Sequence, residues 1–507
     1  MSLVPVTPEM ARAAAEHDGV CIRPQVRTVT DRVTGSTTRV MIRCGSTRES
    51  QCPPCAERSR KLRVHQCLAG WHVDTEPETG EPGDGDVTDD AGHEAEPATD
   101  GDHPTRVVRS TRRRRDVDDL PRVHMDPRTV GAVFPGRDGR TYRPSMFVTL
   151  TLGSYGATVP GQGVPRDPST YDYRRAALDA LHFSKLMDRF FQNVRRCCGF
   201  NAQYFAAVES QLRLALHAHI AIRGAIPRAI LRQVIGATYH QVWWPPHETP
   251  VYVDRHPIWT DDGYCDPGTG EFLPTWEEAM AALDEEDAEP AHVMRFGSVF
   301  DIQGIDGDTD DARRSARYLT KYLTKSLSTT YVDPDQPDNA YEAHIDRLHH
   351  EVRYLPCSES CSNWLRFGIQ PKDAEADMFA GHCPAKAHDR ENLGHGGRRI
   401  LVSRKWSGKT LKQHRAERAD IVRAVLEEAG ITPPDAQRMA AETLAEDGQP
   451  RFIWEDAEVS LEDYANVLTA AVLEKRRWRA EYERAKELRD RASPDSARSA
   501  TPPTLTA

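Results

Sequence analysis

The sequence has no run of eighteen apolar residues, the length that a membrane span requires, so no segment reads as crossing a bilayer. It is poor in aromatics (7%) and only 38% hydrophobic, yet 507 residues suffice for two to four domains with sizeable cores. The opening stretch MSLVPVTPEMARAAAEHDG lacks an apolar h-region. Eleven cysteines without such a signal are expected in a reducing cytoplasm, holding metal rather than disulfides. Two stretches lack cations altogether: residues 71–103 hold twelve Asp or Glu, and residues 261–289 hold eleven, with no Lys or Arg in either. Those acids outweigh the formal net charge of −11, so the rest of the chain carries a basic surplus suited to nucleic-acid phosphates. Both acidic tracts read as solvated insertions.

What is present centres on residues 213–223, RLALHAHIAIR. At the two-residue period of a strand, Leu216, Ala218, Ile220 and Ile222 share one face while His217 and His219 share the other. Two imidazoles at i, i+2 on a rigid strand can ligate a divalent cation. With 20 histidines in the chain the spacing alone decides nothing, and context must carry the reading. Glu209 ends the preceding strand (QYFAAVE), and a hairpin through QLRLA would bring its carboxylate beside both rings. Two imidazoles and one carboxylate leave coordination positions open, as a catalytic Mg2+ or Mn2+ site requires. The rival reading makes Glu209 an ordinary surface or salt-bridged carboxylate.

Upstream, residues 19–29 and 38–44 form a predicted hairpin with Cys21 and Cys44 near its open end, followed by Cys52-Pro-Pro-Cys55 at the start of a basic helix. This pattern reads as a zinc ribbon, with His65 and Cys67 competing with Cys21 as ligand. A second zinc site is expected from Cys357, Cys361, Cys383 and one histidine, His382 or His388. Residues 145–152 read as a strand and 171–197 as a helix with an apolar stripe of Leu178, Leu181, Leu186, Phe190 and Val194. Strand, helix, strand, strand makes the fold class α+β, with an antiparallel sheet.

Residues 317–326, RYLTKYLTKS, read as a helix with Ala316, Leu319, Leu323 and Leu327 inward and Tyr318, Tyr322 and Lys325 together on another face. Lys321 lies one turn from Tyr318. A phenol with a pKa of about 10 needs a nearby cation to act as nucleophile, and lysine or bound metal provides one. The bland alternative is an amphipathic surface helix. Trp243 and Trp244 could stack on unpaired bases or belong to the core. Residues 403–410, SRKWSGKT, nearly spell a phosphate-binding loop but have serine where glycine is needed, so ATP hydrolysis is rejected. Arg404, Lys405 and Lys409 there are candidate DNA-backbone contacts. The arginine run 112–115 reads as part of a solvated linker, residues 411–430 and 458–492 as charged helices, and the end from 493 as disordered.

A His-hydrophobic-His strand, an upstream carboxylate and a downstream Tyr-x-x-Lys segment together resemble the HUH endonucleases. More closely, MFVTLTLGSYG (146–156), YFAAVESQLRLALHAHIAIRG (204–224) and ARYLTKYLTKS (316–326) resemble, in order, the motifs of rolling-circle replication initiators of actinomycete plasmids. RCGSTRESQCPPC, ATYHQVWWPP and GGRRILVSRKWSGKTL extend the likeness over most of residues 19 to 420. The resemblance implies an HUH-type antiparallel sheet with flanking helices, small zinc modules and a helical carboxyl-terminal region. It divides the chain into a cysteine-rich module (1–70), a linker (71–120), the endonuclease domain (121–340), a second Cys/His module (341–400), a basic loop with charged helices (401–492) and a tail. It further implies attack by Tyr318 or Tyr322 on origin DNA, with Lys321 and Lys325 in support. His217, His219 and Glu209 would hold the catalytic cation, and the host would supply helicase and polymerase. Relaxases place their tyrosine before the histidines, unlike this chain. Two-tyrosine transposases and a catalytically silent zinc-containing DNA binder are the alternatives.

Overall fold

Alternation decides how this chain stacks its layers. The computed structural model describes residues 6–71, 120–123, 132–135, 141–284, 288–307, 310–321, 323–331, 338–428 and 443–492. The acidic linker expected over 71–120, its arginine run 112–115 and the tail from 493 lie outside these, apart from Trp71 and Leu120. In chain order the main elements are α1 (Pro8–His17), β1 (Gln25–Asp31), β2 (Thr37–Ile42), α2 (Pro53–Trp71), β3 (Phe134–Pro135), β4 (Thr141–Tyr142), β5 (Pro144–Leu152), α3 (Tyr173–Cys198), β6 (Tyr204–Ser210) and β7 (Leu216–Arg223). They continue with α4 (Arg228–Ala237), β8 (Tyr239–Val242), β9 (Ile258–Thr260), β10 (Gly263–Cys265), α5 (Trp276–Ala281), β11 (His292–Asp306) and α6 (Asp310–Leu319). Last come α7 (Asn339–Tyr354), β12 (Ile400–Val402), α8 (Leu411–Glu428), β13 (Phe452–Asp456) and α9 (Leu461–Ala492). The architecture is mixed α/β, built from antiparallel sheets and helices. Among the described residues no helix is long and apolar enough to cross a membrane.

Residues Cys67–Gly408 form one compact unit around a six-stranded sheet in the order β12-β6-β7-β5-β11-β8, with neighbouring strands antiparallel throughout. The even positions of β7 (Leu216, Ala218, Ile220, Ile222) join Met146, Val148, Leu150 and Leu152 of β5 in one core face. Phe183, Leu186, Met187 and Phe190 of α3 cover that face, together with α4 and α7. Each such side chain withdrawn from water contributes about 1.5–3 kcal/mol before entropy is counted, so this layer dominates the fold. Asp172 caps α3 by accepting from the Arg175 N–H, and Gly199, at φ 77°, ends it in the left-handed conformation that glycine adopts without strain.

The odd positions face the other way. Ala221 of β7, Phe205 and Ala207 of β6 and partly buried Phe147 of β5 pack with Ala312, Ala316 and Leu319 of α6 and with Trp71 and Trp406. Small residues on the sheet allow α6 to lie close. Gly70 is needed for the same reason, since a Cβ there would meet the Trp406 ring at 2.0 Å. Because His217 and His219 share parity with Ala221, the face that receives α6 is the face that carries the imidazoles.

The second unit joins Met1–Gln66 to Lys409–Ala507. Its sheet runs β13-β1-β2, so strands from the two chain ends pair directly. Arg451 donates to Asp31 at 2.8 Å, and Tyr464 of α9 donates to the Ile22 carbonyl at 2.8 Å. Residues 1–66 group with the carboxyl-terminal helices, and α7, which starts within the expected 121–340 segment and runs into the 341–400 segment, packs on α3.

Three local expectations are corrected. Residues 317–326 are not one helix: α6 stops at Leu319, and the Lys321 N–H returns to the Tyr318 carbonyl in a turn. Helical spacing therefore does not place Lys325 beside Tyr318. The 261–289 tract is not simply a solvated insertion, because Tyr264, Leu273 and Trp276 are buried against Tyr252, Leu365 and Trp364. Trp243 is buried and belongs to the core, while Trp244 is half-buried against the rings of His182 and Trp364.

Candidate functional site

The β6–β7 hairpin pairs Glu209 directly with His217, and β5 pairs Thr149 with His219 and Thr151 with His217. Period-two alternation then points the Glu209 carboxylate and both imidazoles from one face. The two Nε2 atoms lie 2.9 Å apart, and Glu209 Oε2 lies 3.8 Å from each. Glu209 is 1% exposed, which rules out the surface-carboxylate reading. Its Oε1 is buried with no hydrogen-bond partner among the described residues. Thr149 Oγ1 lies 2.9 Å from His219 Nδ1; the tautomer that donates this Nδ1–H leaves the Nε2 lone pair toward Glu209.

Burial drives both rings neutral, lowering His217 to about 3 and His219 to about 4. Burial also pushes the Glu209 carboxyl up to about 7, against the pull of Arg399 and Lys321. Neutral imidazoles and a carboxylate with an unused oxygen are a donor set that fits a divalent cation.

Tyr318, near the end of α6, places its ring edge-on to His219 with centroids 4.8 Å apart, and Phe147 stacks on the same imidazole at 5.8 Å. Tyr318 as a whole is 45% exposed. Tyr322 lies outside the described residues. Lys321 is exposed, close enough to act electrostatically on Glu209. Lys325 is half-buried, and its carbonyl accepts from Arg399.

Two thiol clusters stand elsewhere, and either could hold a metal such as zinc. In the unit of chain ends, Cys21, Cys44, Cys52 and Cys55 bring their sulfurs together. The Cys21 and Cys52 sulfurs are 3.8 Å apart. The competing candidates go elsewhere: His65 packs on the His414 ring at 5.3 Å, and Cys67 is fully buried beside Trp71. In the 67–408 unit, Cys357, Cys361, Cys383 and His388 converge, which selects His388 over His382. His388 Nδ1 donates to the Val352 carbonyl at 2.7 Å, leaving Nε2 3.5 Å from the Cys361 sulfur.

Of the proposed DNA contacts, Arg404 is exposed, Lys405 is half-buried with its carbonyl accepting from Arg223, and Lys409 pairs with Glu417 at 2.5 Å. Thr149 and Arg399 escaped the sequence reading. Thr149 shares the parity of Phe147 and Thr151, a signal that becomes readable once the β5–β7 register is known. Nothing local marks Arg399, which reaches the site only through the pairing of β12 with β6.

A family model described as a replication initiator protein, pSAM2 (RepSA), matches residues 7–459. A protein of Streptomyces ambofaciens named replication initiator protein is 23% identical over 310 residues, covering 58% of this chain and 54% of that protein. The chain thus spans about half the length of that relative. No solved structure matches it. Since the family match runs over nearly all of the chain and contains every residue of the site built above, the chain belongs to the RepSA family of replication initiator proteins.

Proposed function

We propose that the chain initiates plasmid replication as an HUH-type endonuclease, nicking one strand at an origin and leaving a 3′ hydroxyl to prime rolling-circle synthesis. The observation that carries this reading is the Tyr318 ring lying 4.8 Å from His219, over a buried centre of Glu209, His217 and His219. Those three residues would hold Mg2+ or Mn2+, which when bound polarises the scissile phosphate and offsets charge in the transition state. Glu209 Oε1, with no hydrogen-bond partner among the described residues, and the paired Nε2 atoms fit that role.

The rest is done by the chain's own side chains. The phenol oxygen of Tyr318 attacks phosphorus, the bond to the 3′ oxygen breaks, and a 5′-phosphotyrosyl ester forms. The phenol loses one proton and the leaving 3′ oxygen takes one up, so the ester bond is conserved and rejoining runs the same path backward. Lys321, beside the same centre, stabilises the developing negative charge. Tyr322 is the second candidate nucleophile, and two tyrosines would permit successive nick and rejoin steps. Arg404 and Lys405 contact the DNA backbone, zinc fills the two thiol clusters, and host helicase and polymerase extend the primer.

The test incubates the protein with supercoiled plasmid bearing its origin and Mg2+ or Mn2+, then maps the DNA-linked peptide. A nicked circle with a 5′ adduct on Tyr318 is expected, and the adduct disappears in the Tyr318→Phe, Tyr322→Phe double variant. Metal-loaded protein that binds the origin without nicking it would instead make the chain a catalytically silent DNA binder.

A further inference from the structure

Arg399 enters the site from far along the chain. It immediately precedes β12, whose Ile400 pairs with Ala207 of β6, and its carbonyl accepts the Val208 N–H at 2.8 Å. Backbone pairing therefore fixes it opposite the residue before Glu209. Its side chain turns back to the same place, with Nε donating to the Val208 carbonyl at 3.2 Å. The Nη1 group of the same guanidinium donates to the Lys325 carbonyl. One planar fork thus joins two backbones: the Glu209 strand and the segment that follows the Tyr318 helix.

That segment needs an anchor. After Leu319 the helical ladder ends, and among the described residues the next to join the main core is Leu327. Without a ladder, the residues just beyond Tyr318 are held by local turn bonds, such as the Lys321 N–H to the Tyr318 carbonyl and the Thr320 hydroxyl to the Ala316 carbonyl, and by tertiary contacts. The Lys325 carbonyl is one such contact, made to a cation that also lies beside Glu209.

We propose that Arg399 is a positioning residue for the nicking centre, clamping the chain beyond Tyr318 to the Glu209 strand and setting a fixed positive charge beside that carboxylate. This rests on the nuclease reading above. Arginine suits the task and lysine does not: a rigid fork can donate to two carbonyls in different directions, whereas an ammonium on a flexible stem offers charge without the same geometry. A small displacement of a nucleophile is enough to slow an in-line attack severely.

The experiment compares Arg399→Lys, which keeps charge, with Arg399→Gln, which loses it. Four quantities are read: single-turnover nicking at saturating origin DNA, the KM for that DNA, Mn2+ affinity by calorimetry without DNA, and melting temperature. For Arg399→Lys the nicking rate should fall by about 10-fold or more while KM and Mn2+ affinity stay within about 3-fold, the mark of a misplaced nucleophile. For Arg399→Gln the Mn2+ affinity should also fall, by about 10-fold, the usual scale for groups supporting metal ligands. An Arg399→Lys protein nicking at the wild-type rate overturns the clamp. So does a rate loss in both variants that follows their melting temperatures and vanishes on cooling, because that is a general loss of stability. Wild-type protein that neither nicks nor binds Mn2+ overturns the nuclease reading itself, and the role of Arg399 falls with it.

Discussion

The 67–408 unit holds two clusters that use histidine for opposite ends. Cys357, Cys361, Cys383 and His388 supply four soft or borderline donors, the number a closed structural zinc site uses. Glu209, His217 and His219 supply only three, hard enough for Mg2+ or Mn2+, with the half-exposed Tyr318 against them. Both clusters orient a ring through its second nitrogen, His388 by the Val352 carbonyl and His219 by Thr149. The difference is therefore one of donor count and surroundings rather than of imidazole chemistry. Four donors filled by one metal would hold the chain together, while three donors beside the Tyr318 phenol leave room for the ligand that the proposed function requires.

The largest effect should come from removing the open set. His217→Ala or His219→Ala is expected to lower nicking by at least about 100-fold, the scale of losing a transition-state electrostatic partner, with zinc content per chain unchanged. Zinc falling in step with activity would show that the two clusters are not independent. A step smaller, Thr149→Val removes the hydroxyl beside His219 Nδ1 and should weaken Mn2+ affinity or nicking by about 10–100-fold. Unchanged calorimetry and rates in that variant would mean that packing alone sets the ring. Smaller still on nicking, Cys361→Ser should leave the rate within about 3-fold at low temperature while one zinc is lost. The same variant should melt lower by about 5 °C, since each kcal/mol shifts a unit of this size by no more than about 2 °C. A Cys361→Ser protein that nicks poorly even when cold and folded would give the closed cluster a part in the chemistry.

How much of this could be read beforehand follows from the range of the interactions. Strand alternation is local, so the faces of RLALHAHIAIR and the hairpin that brings Glu209 to His217 were legible from spacing. The Cys52–Cys55 pair with Cys21 and Cys44 was legible too, because metal ligands near a hairpin's open end come together by short closure. The helix over 317–326 was misread because its apolar residues keep a helical period past Leu319. There the buried Thr320 hydroxyl instead bonds back to the Ala316 carbonyl and the chain turns. Arg399 could not be found at all. Its place depends on the register of β12 against β6, which no local pattern encodes. Nor could the 261–289 tract reveal that Trp276 is buried, since its acids are spread between residues that pack inward.

The smallest effect concerns histidines with no ligand role, and it separates neutrality by burial from neutrality by metal. His344, bonded through Nδ1 to the Tyr173 hydroxyl at 2.8 Å, and His395, fully enclosed, are each lowered by burial to about 4. In an unfolded chain both titrate at about 6.5. A folded pKa below the unfolded one contributes stability that is complete above about 6.5 and is lost as pH falls toward 4, since the unfolded chain then binds the extra proton. Each ring adds a slope of about 1.4 kcal/mol per pH unit across that window. His344→Gln should therefore flatten urea-unfolding stability against pH by one such slope, whatever it does to the absolute value at pH 7. Because His344 lies outside both clusters, that difference in slope should be the same with and without Mn2+, whereas slopes due to His217 and His219 should change when the ion is added. Equal slopes in wild type and variant would mean that His344 accepts a proton inside the fold, and burial could then no longer be used to argue that the two site imidazoles are held as neutral ligands.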